Sequence, residues 1–311
     1  MIIVLNVQKM EKCISKCVCV ICGMAAEQFD LAFMRAVRRT HLSKQHFQIW
    51  KLQNANGWHM MDNSRIERLM MKGLYHKSEI WFAIVWIIAY CVLASIGDNL
   101  STSIGVEKIV TLPILMILSA ILFLFVWKNQ LLKKFGLCKS EIPASKMLFY
   151  IPLLALLTVN LWYGLFRNAS VFETVLYMLS MFCVGFLEEM IFRGFLFCAM
   201  AKEDVKSAII VSSVTFGIGH IVNLINGSGA ELLPNLFQVI SAIAVGFLFV
   251  AIFYRTKSML TCILTHGVFN ALSAFFNEAA MTLQRRVLSC GFMVLLSIFY
   301  ALYIIFKVKP D

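Results

Sequence analysis

The sequence predicts an all-α, polytopic membrane protein, a bundle of about eight transmembrane helices. Two observations carry that prediction. The 311 residues are 60% hydrophobic and only 14% charged, with a mean hydropathy of +0.80, whereas a soluble domain carries roughly 25% charged residues. The apolar residues also gather in runs close to the length that a spanning helix needs, about 20 residues. A membrane β-barrel would show short alternating segments instead. The net charge of +11 needs no nucleic acid to account for it, because most Lys and Arg lie between the runs.

Taken in order, the runs fall at about 80–97, 109–127, 147–166, 171–201, 206–224, 233–254, 258–277 and 287–306. The connections alternate in charge, as the positive-inside rule requires. The approach to the first run carries Arg65, Arg68, Lys72 and Lys77, and the next loop has Lys108 against Asp98 and Glu107. Lys128, Lys133, Lys134, Lys139 and Lys146 follow, and the later loops alternate between cationic (KEDVK, YRTKS, KVK) and largely uncharged (RNAS, NLINGSGAELLPN). Arg285 and Arg286 blur the last outside loop without reversing the pattern. Both termini are therefore expected in the cytoplasm. Compact loops and the absence of an organelle signal suggest a multi-pass protein of a bacterial plasma membrane.

Residues 1–79 differ from the membrane domain expected over 80–308. They hold twelve Lys/Arg against six Asp/Glu and no spanning run. Cys13, Cys17, Cys19 and Cys22 match neither a paired C-x2-C zinc pattern nor a cluster motif, and unliganded thiols are expected. MIIVL is too short for the apolar core of a signal peptide. With Met60, Met61, Met70 and Met71 close before the first run, much of this segment is expected to be disordered or upstream of the true start. The other six cysteines are scattered singly in or beside runs, where they behave as small apolar residues.

The chemistry sits in FLEEMIFRG, 186–194, where Glu188, Glu189 and Arg193 interrupt apolar surroundings. Ionised groups in hydrocarbon are costly, by estimates from about 3 to well over 10 kcal/mol each. Glu189 and Arg193 have the i,i+4 spacing of a helical ion pair, and Glu188 is rotated about 100° away. On these residues alone, a structural ion cluster gluing helices is as good a reading as a site. Of six histidines, only His220 and His266 lie in runs. A lone membrane histidine is often just an interhelical hydrogen-bonder. Here, however, Glu188 and His220 are equidistant from the turn near Asp204, and His266 and Asn270 share a face of the seventh run. The polar groups can converge on one cavity, which in a membrane points to a functional site.

Glu188-Glu189-x-x-x-Arg193, Phe216-x-x-x-His220 and His266-x-x-x-Asn270, in that order and each in its own run, resemble the three motifs of the CAAX-protease and bacteriocin-processing (CPBP, or Abi) family. These are intramembrane glutamic endopeptidases. The resemblance covers about residues 171–275, with no departure at the named positions. It implies an eight-helix fold and hydrolysis of a peptide bond near the membrane surface by a glutamate-activated water, with no cofactor and no metal. Such hydrolysis needs a base and donors for the oxyanion. Glu188 would be the base, aligned or assisted by His220, with His266 and the Asn270 amide donating to the oxyanion. Glu189 and Arg193 would hold the helix geometry and supply positive charge beside Glu188. Phe216 would pack, and Gly217, Gly219 and Gly246 would permit close helix approach.

Other designs fit less well. No aspartate lies within a run and there is no H-E-x-x-H; the GSG at Gly227–Gly229 lacks the nucleophile-elbow context. A zinc-dependent protease using the same residues is the nearest alternative. A non-enzymatic immunity or scaffold protein keeping the fold is another, and a transporter is disfavoured because a proton relay would spread its ionisable groups along a path. Substrates compatible with the motifs are prenylated C-terminal peptides, leader peptides and membrane-protein segments, taken from or beside the lipid bilayer.

Overall fold

The computed structural model describes residues 71–224 and 230–308. The cysteines 13, 17, 19 and 22, Met60, Met61 and Met70, and the loop Gly227–Gly229 lie outside the described residues. Each of the eight apolar runs is helical. They form α1 (Glu79–Ile104), α2 (Thr111–Lys128), α3 (Ile151–Leu157), α4 (Val171–Glu189), α5 (Val205–Gly219), α6 (Leu232–Thr256), α7 (Leu260–Leu272) and α8 (Leu283–Lys307).

Local chemistry sets the helix ends. Ser78 caps α1 by accepting from the Trp81 amide, and α1 stops at Gly105, whose left-handed φ of 80° suits a residue without Cβ. Ser170 and Glu173 form a reciprocal capping box at the start of α4. Asp204 caps α5, and the hydroxyl and amides of Ser207 and Lys206 hold its carboxyl below the ordinary range. Thr282 caps α8 through the Arg285 amide.

Two of the eight helices are shorter than expected. Six pass the length and composition needed to cross a membrane, whereas the apolar helical stretches Leu148–Leu161 and Leu260–Phe275 do not. At about 1.5 Å per residue both fall short of a hydrocarbon core about 30 Å thick. The sequence runs there are longer because the flanking 3-10 turns and loops are apolar too. One of the two, α7, buries Cys262, Thr265, His266, Gly267 and Ala271 and leaves Leu260 and Leu264 exposed. It packs on α4 so closely that a Cβ built on Gly185 would lie 2.7 Å from the Gly267 amide nitrogen.

α4 is the centre of the arrangement, touching α2 and α7. Its continuation touches α1 and α5, and α6 bridges α5 to α8. That continuation is not the regular helix expected over 171–201. Met190–Phe197 winds as a π-helix, with every residue buried. The Ser212 hydroxyl of α5 donates to the Phe192 carbonyl at 2.8 Å, giving that carbonyl a partner from outside its own helix.

The two ends of the bundle differ in charge. Lys134 and Lys202 both pair with Glu79 at 2.8 Å. The Glu141 amide donates to the Thr256 carbonyl and the Met259 amide to that of Gly136. Lys133, Lys139 and Lys257 belong to these same connections, so this end is rich in lysine. At the opposite end the Phe166 amide donates to the Phe275 carbonyl, Lys108 pairs with Asp98 at 2.8 Å and Arg286 pairs with Glu278. Inside the lysine-rich end Tyr75 packs edge to face with Phe82, Phe125 and Phe135, and Phe195 packs edge to face with Phe82 and Phe135. Tyr75, only 7% exposed, is thus part of the membrane core although it precedes the first apolar run.

Candidate active site

Glu188 and Glu189 end the regular part of α4, and Arg193 lies one turn on in the π-helix. Glu189 and Arg193 are each 0% exposed, with Nη1 of Arg193 donating to Glu189 Oε1 at 3.0 Å. The i,i+4 pairing expected from the sequence is thus made. The guanidinium lies 4.1 Å from the Phe216 ring centre and 5.6 Å from that of Phe249. Nε and Nη2 have no hydrogen-bond acceptor among the described residues. The two ring faces take their place, an arrangement that favours a cation out of water. Phe216 therefore does more than fill space, since its ring also meets His220 and His266 edge on, at 5.3 and 5.6 Å between centres.

His266 joins the two glutamates. Its Nδ1 is 2.8 Å from Glu189 Oε1 and its Nε2 is 3.5 Å from Glu188 Oε2. The sequence sets Glu188 facing the two histidines and Glu189 facing Arg193; in the structure Glu189 Oε1 meets His266 as well as Arg193, and Glu188 meets His266. An ionised Glu189 only accepts, so Nδ1 of His266 carries the proton.

Glu188 is held differently from the way its neighbour is. Its Oε1 accepts from the Tyr90 hydroxyl of α1 at 2.7 Å. Its Oε2 is buried with no hydrogen-bond partner among the described residues. Tyr90, 8% exposed, is absent from the sequence-derived site. The available signal is a single tyrosine in the first apolar run, at about the depth of Glu188 from the lysine-rich end.

His220 closes α5, where the helix tightens into the 3-10 turn His220–Leu224. Its Nδ1 faces the Phe216 carbonyl at 3.2 Å, and Asn235 donates to the His220 carbonyl at 2.9 Å. A carbonyl can only accept, so Nδ1 carries hydrogen, and in the neutral imidazole Nε2 is then the acceptor. Neither Glu188 oxygen is hydrogen-bonded to His220 among the described residues. Both instead line one cavity of about 970 Å³ together with His266 and Asn270. Of the glycines, Gly217 and Gly246 do lie against neighbouring backbone, at Ile243 and Ser213 respectively, whereas a Cβ on Gly219 would meet nothing. Gly219 has no packing role. Among the described residues no three His, Cys, Asp or Glu side chains are grouped as a metal site would require.

Residues 170–272 match the family model of the type II CAAX prenyl endopeptidase Rce1-like proteins. The matched stretch runs from the cap of α4 to the end of α7 and holds every site residue from Glu188 to Asn270; Tyr90 lies outside it. Neither a curated protein nor a solved structure matches the chain. The family match supports an intramembrane peptidase of the CAAX type, and the apolar helices agree with a multi-pass membrane protein.

Proposed function

We propose that this chain is an intramembrane endopeptidase in which Glu188 is the general base for a water molecule. The observation that carries the reading is the division of labour within one carboxylate. Oε1 is tied to Tyr90 at 2.7 Å, while Oε2 has no hydrogen-bond partner among the described residues and lies 3.5 Å from His266 Nε2, in a residue that lines the cavity. A carboxylate fixed through one oxygen presents the other in a set direction, as a base must be presented.

In the proposed reaction Oε2 takes a proton from water as the water oxygen bonds to the scissile carbonyl carbon. His220, with Nε2 as acceptor, orients that water. The carbonyl electron pair moves to oxygen, and the developing oxyanion takes hydrogen bonds from His266 Nε2 and the Asn270 amide. His266 can donate there only as the imidazolium, because its other proton is committed to Glu189. When the C–N bond breaks, Glu188 returns its proton to the leaving amine, and the base is restored. Glu189, Arg193 and Phe216 are positioning residues that hold His266.

Mass spectrometry of peptides from membranes carrying wild-type or Glu188→Gln protein tests the proposal. Cleavage products should be present in the first and absent in the second, at equal protein level. Wild-type turnover by Glu188→Gln would sink it. Loss of wild-type activity in a chelator, restored by zinc, would replace it with the metal-dependent reading.

A further inference from the structure

The cavity has a direction. Its wall begins at Tyr90 on α1, Phe192 on the π-helical stretch after α4, Phe249 on α6 and Thr265 on α7. Among the described residues, nothing nearer the lysine-rich end lines it. Beyond those residues stand Phe82, Phe125, Phe135, Phe195, Phe197 and Phe253, all buried, a solid aromatic layer. In the other direction the wall continues to Asp98, Thr102, Glu107, Lys108 and Arg286, which belong to the lysine-poor end, and Thr102 and Glu107 there are exposed. The catalytic groups therefore sit at the floor of a pit that opens at one face.

Charge identifies that face. Lys133, Lys134, Lys139, Lys146, Lys202 and Lys257 lie in the connections at the closed end. The bias of Lys and Arg in short loops sets membrane orientation, with the cationic side retained in the cytoplasm. We infer that the site is entered from the non-cytoplasmic face, so that its substrate is an extended peptide segment presented on that side of the membrane. Tyr90 to Thr102 spans twelve residues of α1, about 18 Å at about 1.5 Å per residue. An extended chain covers that depth in about five or six residues. The reactive segment must then be an unfolded tail or loop, because a folded domain would stop at the mouth. A chain tethered by lipid to the cytoplasmic leaflet would meet the closed aromatic end. The substrate class rests on the peptidase reading above; the direction of access does not.

Two measurements separate these. Ser95→Cys on the cavity wall, Thr102→Cys at its mouth and Lys133→Cys at the opposite end are each treated with a charged, membrane-impermeant thiol reagent. Right-side-out and inverted vesicles are compared, with modification located by mass spectrometry so that native cysteines stay in place. Ser95→Cys and Thr102→Cys should be modified in right-side-out vesicles and spared in inverted ones, with Lys133→Cys showing the reverse. Modification of Ser95→Cys from the same side as Lys133→Cys would overturn the inference. A peptide pool supplied outside right-side-out vesicles should be cleaved, and the same pool supplied to inverted vesicles should not. Cleavage in inverted vesicles alone would also overturn it. No cleavage from either side, with the labelling as expected, would leave access standing and refute the peptidase reading instead.

Discussion

Replacing Glu189 by Gln tests the central ion cluster most sharply. Glu189 is wholly buried, and its Oε1 serves Arg193 at 3.0 Å and His266 at 2.8 Å. Gln keeps one acceptor oxygen but removes the charge, and its amide hydrogens meet donors. Removing one partner of a buried pair typically costs about 3–5 kcal/mol, because the other charge is left uncompensated. Phe216 and Phe249 still face the Arg193 guanidinium, which places the expected loss near the lower end of that range. Against a total stability of about 5–15 kcal/mol this is a large fraction. At about 2–4 °C per kcal/mol, the midpoint of thermal unfolding in detergent should fall by roughly 6–12 °C. Activity per folded molecule should fall as well, since His266 loses its anchor. Glu188→Gln is the control. Tyr90 can still donate to the remaining amide oxygen, so its melting temperature should stay close to wild type while turnover disappears. Equal stability of Glu189→Gln and wild type, or equal destabilisation by both changes, would refute the assignment of base and structural partner.

Three further outcomes follow from the geometry. Tyr90→Phe leaves Glu188 Oε1 unpaired, at a cost of about 1–3 kcal/mol; kcat should fall with KM held, and the pH profile of kcat should move, which a purely structural role would not cause. Gly185→Ala drives a methyl against the Gly267 backbone and should cost about 1–3 kcal/mol by overpacking, read as reduced melting temperature; an unchanged value would mean that α4 and α7 part easily. A chain beginning at Met70 should insert and retain activity, whereas one beginning at Trp81 should lose stability with Tyr75 and Glu79; full activity in the shorter chain would contradict the packing of Tyr75.

The ionisable part of the site was legible because such groups are rare in apolar runs. Glu188, Glu189, Arg193, His220 and His266 stand out against Leu, Phe and Val, and counting from the turns puts them at one depth. Tyr90 was not legible, because its phenol is at home in an apolar helix and its partner is 98 residues away. The bridging role of Glu189 was hidden for a related reason. Spacing along a helix pairs Glu189 with Arg193 but says nothing of a histidine arriving from α7. The π-helical stretch is met by a hydroxyl from another helix, Ser212, a contact that spacing along one helix does not reveal, and the shortness of α3 and α7 was masked by apolar turns around them. Gly219 shows the converse error: glycine in a run suggests close approach, but only a neighbouring backbone, as at Gly185 and Gly267, makes it necessary.

The layer of phenylalanines beneath the site has an electrical consequence. A polar pit that opens to one compartment carries little of the transmembrane voltage, so most of the drop must fall across the aromatic layer. A charge moved through that layer would feel up to about 2.3 kcal/mol per 100 mV, whereas one moved between the mouth and Glu188 would feel little. Protons reaching Glu188 would then be in equilibrium with the compartment outside the lysine-poor face, whatever the pH on the other side. In vesicles with different pH on their two faces, the rate should follow the lysine-poor face and be indifferent to an imposed potential; a rate that tracked the other face would show the aromatic layer to be permeable to protons.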